Sequence, residues 1–271
     1  MNYAYQDGAT QSGELLSFEP GLRYLLGVPK ELNEAPPVVV CIHGIRRNVQ
    51  EQFRAFAPLA EQAGWLLLVP LFAADSFPDY QRLGRPGRGG RADLSLLGLI
   101  GHLKARFSLP ERAIYLFGHS GGAQFVHRFV MVHPRHVARY AISAPGWYTF
   151  PDESLVYPCG LARGAARGEL LRLSDFLRIQ GAVFVGSADC HRGPNVRCNP
   201  TVDTQQGVHR LERAMRWTRA MNARAREMGL PEPLKLQLLR DGAHNFGGLV
   251  RRNRLHEHVW EFLTSSAETD T

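Results

Sequence analysis

The stretch AIYLFGHSGGAQFVHRF, residues 113–129, places a serine where chemistry is easiest to build. A β-rich run leads into Gly118-His119-Ser120-Gly121-Gly122, and helical spacing follows. This is a G-x-S-x-G pattern at a strand-to-helix junction, the sequence form of a sharp elbow that lifts a serine hydroxyl clear of a sheet. Side chains at 118 and 122 would collide with the neighbouring strand and helix, so small residues are needed there. The hydroxyl would stand at the start of the helix from 121 onward, where backbone N–H groups and the helix dipole favour developing negative charge. The chemistry implied is nucleophilic attack on a carbonyl.

A serine at its free pKa is a poor nucleophile and needs a base within hydrogen-bond reach. The chain has 11 histidines, so position must discriminate. In open α/β sheets functional groups gather beyond the carboxyl ends of the strands. His244, in LQLLRDGAHNFGG, lies just past the last β-rich run in a glycine-bearing loop and is the favoured base. His256 and His258 fall in the closing helical segment, and His127 and His133 in the helix after the elbow. His43 reads as a packing or loop-orienting residue. A carboxylate should orient the imidazole and stabilise its cation. Asp189, in VFVGSADC, ends a β-rich run and takes that place, with Asp203 and Asp152 as competitors. Ser120, Asp189, His244 is also the chain order expected of this elbow. The developing oxyanion needs two donors: the N–H of Gly121, and one from the loop after VVVCI, where His43-Gly44-Ile45 places the Ile45 N–H suitably. Arg46 is the alternative second donor.

Three clues concern the substrate. GWYTFPD (146–152) puts Trp147, Tyr148 and Phe150 near the site, as an acyl or alcohol pocket or as packing. Trp147, Tyr148 and Arg46 are taken as substrate-binding. Arg46, Arg47, Arg82, Arg85, Arg88 and Arg91 lie in loops on the expected active-site face. A cluster there would attract carboxylate-bearing or phosphorylated substrates; solvated loop arginines with structural ion pairs are the plainer reading. Arg192, Arg197 and Arg251 flank the Asp and His loops.

These side chains must be positioned by a scaffold, and the pattern supplies one. Leading strands fall at LLSFEP and RYLLGVP. VVVCI, WLLLVPLF, AIYLF, RYAISAP, AVFVGSAD and LKLQLLRD follow as further strands, most of them apolar runs suited to burial on both faces. Between them lie EQFRAFAPLAEQAG, with Phe53, Phe56, Leu59 and Ala60 on one face, and ADLSLLGLIGHLKARF, with Leu94, Leu97, Ile100 and Leu103 on one face. GAQFVHRFVMVHP, a long helix over 204–229 and a closing helix over 252–264 complete the set. A polar Gly/Pro/Arg-rich connection covers 73–91. The alternation predicts one α/β domain, 1–271, with a mostly parallel sheet covered on both faces and a small cap-like insertion at about 148–180.

Composition sets bounds. At 271 residues, 44% hydrophobic and 21% charged, the chain is of ordinary globular character. Its net charge of +7 comes from scattered residues, nearly all arginine, without basic-aromatic runs or zinc-finger spacing, so nucleic-acid binding is not expected. No apolar run is long enough for a membrane span, and the N-terminus lacks a signal-peptide pattern, so a cytoplasmic location is expected. The four cysteines are too few for a disulfide scaffold; Cys190 and Cys198 would bridge only if oxidised. No HExxH occurs, and CHRGPNVRC does not match zinc spacing, so no metal is expected.

The order HGIRRN, GHSGGA, GSAD, DGAHNF resembles the α/β-hydrolase superfamily over nearly the whole chain. Within it, the sequence is most similar to bacterial esterase-like and polyhydroxybutyrate-depolymerase-like hydrolases. The resemblance implies an eight-stranded, mostly parallel sheet, no large lid and no cofactor, with Ser120, Asp189 and His244 as nucleophile, acid and base. It implies carboxylic-ester hydrolysis through an acyl-enzyme. Thioester, amide or peptide hydrolysis with the same residues, or a binding protein that has lost catalysis, are the alternatives. The expected partner is a small ester-type substrate, with an anionic group as one option. Oligomeric state stays open.

Overall fold

A computed structural model of the chain describes residues 14–18, 21–111, 113–162, 171–193 and 196–265. In chain order the elements are β1 (Leu16–Phe18), β2 (Leu22–Gly27), β3 (Val38–Ile42), α1 (Val49–Ala63), β4 (Leu66–Leu71), α2 (Ala92–Arg106), β5 (Ile114–His119) and α3 (Gly121–Val132). There follow β6 (Val137–Ser143), α4 (Leu173–Phe176), β7 (Gln180–Gly186), α5 (Pro200–Gln206), α6 (Arg210–Glu227), β8 (Leu234–Leu239), α7 (Phe246–Asn253) and α8 (Leu255–Thr264). The strands form one eight-stranded sheet in the order β1-β2-β4-β3-β5-β6-β7-β8. The first two strands run antiparallel to their neighbours, and from β4 through β8 every pairing is parallel.

Two hydrophobic clusters lie on the two faces of this sheet, and alternation along each strand divides residues between them. In β3, Val38, Val40 and Ile42 face one cluster, and Val39 and Cys41 the other. On the first face Leu96 and Leu99 of α2, Phe125 and Phe129 of α3 and Trp217 of α6 close the core. On the second, Phe53 and Phe56 of α1 and Leu255 and Val259 of α8 do so. Such two-sided cover explains why the central strands read as unbroken apolar runs.

Several local expectations are revised. In α2 the buried stripe is Ala92, Asp93, Leu96, Leu99, Ile100 and Leu103, and Leu94 is exposed. The expected helix over 204–229 is two helices. Its break comes at Gly207, whose φ of 99° ends α5, and His209 then caps α6 by accepting from the Glu212 N–H. The closing helix is likewise two, α7 and α8, hinged at Arg254 with φ 50°. The stretch expected as a small cap-like insertion, at about 148–180, lies between β6 and β7, and nothing in the structure overturns that expectation. It carries α4 and a bridge between Val156 and Ala162, and its residues 163–170 lie outside those described. Among the described residues no helix is long and apolar enough to cross a membrane.

The parallel pairing points the carboxyl ends of β3, β5, β7 and β8 toward one edge, where the connections to Ile45, Ser120, Asp189 and His244 begin. The elbow after β5 leaves no room for side chains at its flanks. A Cβ at Gly118 would lie 2.4 Å from the Gly122 oxygen, and one at Gly122 would lie 2.0 Å from the Ile42 oxygen. Gly122→Ala therefore lowers unfolding stability in urea by about 2 kcal/mol or more. Gly101→Ala, at an exposed α2 position where a Cβ meets nothing, raises it by about 1 kcal/mol through helix propensity.

Candidate active site

Ser120 sits at φ 56°, ψ −112°, a backbone conformation that an L-residue adopts only under constraint. Its N–H donates to the Ser143 carbonyl at the end of β6 (2.8 Å), which ties the elbow to the neighbouring strand. The side chain meets His244. Ser120 Oγ lies 3.0 Å from His244 Nε2, and His244 Nδ1 lies 3.1 Å from Asp189 Oδ2. A carboxylate only accepts, so Nδ1 carries the proton and Nε2 is free to accept from the serine hydroxyl. Asp189 is buried, and Arg210 at the start of α6 donates to its other oxygen at 3.3 Å.

The loops that carry Asp189 and His244 hold each other. Ser187 N–H donates to the Leu239 carbonyl (2.9 Å), Ala188 N–H to the Gly242 carbonyl (3.0 Å), and Asp241 N–H to Ser187 Oγ (2.8 Å). Asn245 then caps α7 by accepting from the Gly248 N–H at 2.7 Å, so His244 is fixed between a strand end and a helix start. Asp203 and Asp152 are engaged elsewhere: Asp203 pairs with Arg192 and Arg213, and Asp152 accepts from Ser154 and Gln205. Beside the serine, the Ile45 nitrogen lies 3.1 Å from where a Cβ on Gly121 would stand. The Ile45 nitrogen is therefore close to Gly121, the residue that follows Ser120.

No protein-family model matches the sequence, and no curated relative does. Solved structures do match. The chain is 26% identical to poly(aspartic acid) hydrolase-1 from Sphingomonas sp. KT-1, covering 92% of this chain and 97% of that one with a TM-score of 0.77. It is 25% identical to a poly(3-hydroxybutyrate) depolymerase from Bordetella parapertussis, covering 91% and 86% with a TM-score of 0.74. The chain has the α/β-hydrolase fold. A thermostable esterase shares that fold at 17% identity and a TM-score of 0.58. These neighbours are hydrolytic enzymes, which supports hydrolysis as the activity of this α/β-hydrolase chain.

A cavity of about 680 Å³ opens at the serine. Its walls include Ile45, Arg46, Gln52, Ser120, His244 and Phe246. Arg46 is among the residues that line it. The two aromatics are not. Tyr148 is fully buried, stacked on Trp217 at 4.7 Å, and its backbone is clamped on both sides by Gln206; it is a core residue rather than a pocket wall. Trp147 is also buried, outside the cavity lining, with arginines against its ring. The expected field of loop arginines divides as well. Arg85 and Arg88 pair with Asp79, Arg91 pairs with Asp93, and Arg47 donates to the Phe72 and Ile45 carbonyls. Among the described residues no group of three or more His, Cys, Asp or Glu is placed to hold a metal ion. Cys190 and Cys198 are free thiols.

Two participants escape sequence reasoning. Arg210 is one arginine among many, with nothing local to mark it. His119 is the variable residue of the elbow motif. Its Nε2–H donates to the His244 carbonyl (3.1 Å), and its Nδ1 accepts from Ser143 Oγ (3.1 Å). A second histidine thus steadies the loop of the first, across a sequence separation that no local pattern reports.

His119 belongs to a set of buried, neutral imidazoles. His43 donates from Nδ1 to the Gly44 carbonyl and accepts the Phe72 N–H at Nε2; His127 donates to the Ala123 carbonyl and accepts the Thr149 N–H. A second proton would break the accepted bond. Burial holds His43 down at about 4, and burial holds His127 and His119 well below the usual histidine value, aided by the charges of Arg128 and His244 respectively. Each folded-state pKa is below the unfolded value near 6.5. Their stabilisation is therefore complete above about pH 6.5 and is lost as pH falls below it, by up to about 1.4 kcal/mol per pH unit per histidine. Urea midpoints at pH 7, 6 and 5 should fall accordingly, and His127→Gln should make the fall shallower by about one proton.

Proposed function

We propose that this chain is a single-domain serine hydrolase acting on carboxylic esters, with Ser120, His244 and Asp189 as its catalytic triad. The observation that carries the reading is the continuous chain of contacts from Ser120 Oγ to His244 Nε2 and from His244 Nδ1 to Asp189 Oδ2. His244 takes the serine proton as Oγ attacks the substrate carbonyl, and Asp189 holds the tautomer and stabilises the imidazolium. The charge on the carbonyl oxygen falls to the N–H groups of Gly121 and Ile45, aided by the start of α3. Collapse of the tetrahedral intermediate releases the alcohol, with His244 returning the proton, and leaves an acyl-enzyme. Water activated by His244 then frees the acid. His119 acts as a positioning residue, through the carbonyl of His244. The chemistry uses no cofactor, and we place it in the cytoplasm.

Amide hydrolysis is the second reading, favoured by the likeness to a poly(aspartic acid) hydrolase. Ester and amide proceed through the same intermediates and differ in leaving group, so matched p-nitrophenyl esters and p-nitroanilides separate the two.

Ser120→Ala should lower turnover of a p-nitrophenyl ester by several orders of magnitude, abolish labelling by a fluorophosphonate, and leave the unfolding midpoint at or above wild type. Wild-type turnover in that variant would overturn the assignment. His119→Ala should lower kcat by roughly 10- to 100-fold through loss of one buried hydrogen bond, with little change in KM. His119→Gln, which retains a donor, should recover part of the loss, and a purely structural role for His119 would show no such rescue in kcat.

A further inference from the structure

Resting on the proposed ester-hydrolase reading, one group of side chains outside the triad points to the substrate. Three guanidinium groups crowd a single indole: Arg128, Arg197 and Arg82 lie 4.5, 4.8 and 5.3 Å from the centre of the Trp147 ring. Like charges repel, and their gathering is normally relieved by carboxylates. Here, among the described residues, none of the three forms an ion pair. The nearby acids are occupied, Asp79 by Arg85 and Arg88, and Asp203 by Arg192 and Arg213. Arg128 is fully buried, and its Nη2 has no hydrogen-bond partner.

The group is built, not incidental. Fully buried Arg213 donates to the Gly146 carbonyl, just before Trp147, and to the Arg197 carbonyl at 2.9 Å. Tyr157 Oη donates to the Arg82 carbonyl (2.9 Å). Arg128 Nη1 donates to the Gln81 carbonyl (2.7 Å), and its Nε to Thr149 Oγ1 (3.1 Å). Arg197 is exposed and Arg82 half-buried, so an anion would meet those two groups with the charge of Arg128 beneath them. Guanidinium groups held over an indole suit carboxylate recognition, and Arg82 and Arg197 are the two that solvent reaches.

The group is also near the reacting serine. Arg128 is eight residues along α3 from Ser120, about 12 Å of helix rise. Its side chain leans back toward the helix start, placing Nη1 3.5 Å from Gln124 Oε1. Gln81, whose carbonyl Arg128 binds, has its Cγ 3.4 Å from where a Cβ on Gly121 would stand. Gln81 thus adjoins both Gly121, next to Ser120, and Arg128.

We propose that Arg82, Arg128 and Arg197, gathered on Trp147, form an anion subsite that takes a carboxylate of the substrate several bonds from the scissile carbonyl. The anion contacts Arg82 and Arg197 and offsets the buried charge of Arg128 beneath them. Nothing in this step is covalent; the subsite selects and orients.

The test compares p-nitrophenyl hemiglutarate with p-nitrophenyl butyrate in the wild type, Arg82→Gln, Arg197→Gln and the double variant, with fold checked by unfolding midpoint. The ratio of kcat/KM for the charged to the neutral ester should exceed ten in the wild type and fall at least tenfold in the double variant, mainly through KM. Raising salt should lower the ratio. A ratio near one in the wild type, or one unaltered by the double substitution, overturns the subsite. Calorimetry of glutarate on the Ser120→Ala protein separates this outcome from failure of the ester reading, since it needs no turnover. Glutarate should bind, and should bind at least tenfold more weakly when Arg82 and Arg197 are also replaced by Gln. Inorganic phosphate binding more tightly than glutarate would assign the cluster to a free anion and overturn the substrate role.

Discussion

The backbone of Ser120 is held where a side-chain-bearing residue costs about 1–3 kcal/mol, and the arrangement around it exists to impose that conformation. The elbow packs the start of α3 against the end of β3 so closely that backbone touches backbone at Gly118 and Gly122. The Ser120 N–H is bonded to the end of β6. Central strands buried on both faces anchor the turn on both sides. Strain of this kind persists only where the surroundings over-determine it, and here three adjacent parallel strands do so.

A rigid serine can serve as the proposed nucleophile only if its partners are equally fixed, and they lie on separate loops. The Asp189 and His244 loops are therefore cross-linked through Ser187, Ala188, Asp241 and Gly242, so they behave as one unit at the ends of β7 and β8. His119 then joins this unit to the elbow, because one residue ends β5 and reaches the His244 carbonyl. Preorganisation of this order lets hydrogen-bond donors and acceptors meet developing charge without rearranging. The neutral state of His119 is part of the design: burial and the accepted Ser143 hydroxyl keep a second positive charge away from the imidazole of His244.

The fold was largely legible in the sequence because strand and helix periodicities are local. VVVCI reads as a doubly buried strand and is one, and the elbow reads from its glycines and its flanks. Where a local signal was overridden, a single backbone angle or a covering element accounts for it. Gly207 and Arg254 break helices that periodicity alone would continue. Leu94 is exposed because the face α2 turns inward is the one through Leu96 and Leu103. Tyr148 was misplaced because an aromatic after a strand end says nothing of what packs on it; Trp217, 69 positions later, decides. The residues proposed as the triad could be named from position along the strands. Arg210 and the His119 contact could not, since both are defined by partners distant in sequence.

The arginines make the same point about charge. A net charge of +7 suggests a broad electropositive face, yet many of these cations are committed. Some are matched by carboxylates, as in the pairs of Arg85, Arg91, Arg192 and Arg213. Others, such as Arg47 and Arg139, are spent on backbone carbonyls that close loops and the chain end. What is left for a ligand is the remainder, and its effect depends on burial. Guanidinium is weakly hydrated, so it tolerates burial better than an ammonium group would, and Arg128 retains its charge with burial lowering its pKa only to about 10. A cation kept charged, buried and without an acid stores an attraction for anions that bulk charge, screened within about 10 Å by salt, does not. Selectivity in such a site comes from where charge is left uncompensated and buried, and Arg128 beside Trp147 is such a place.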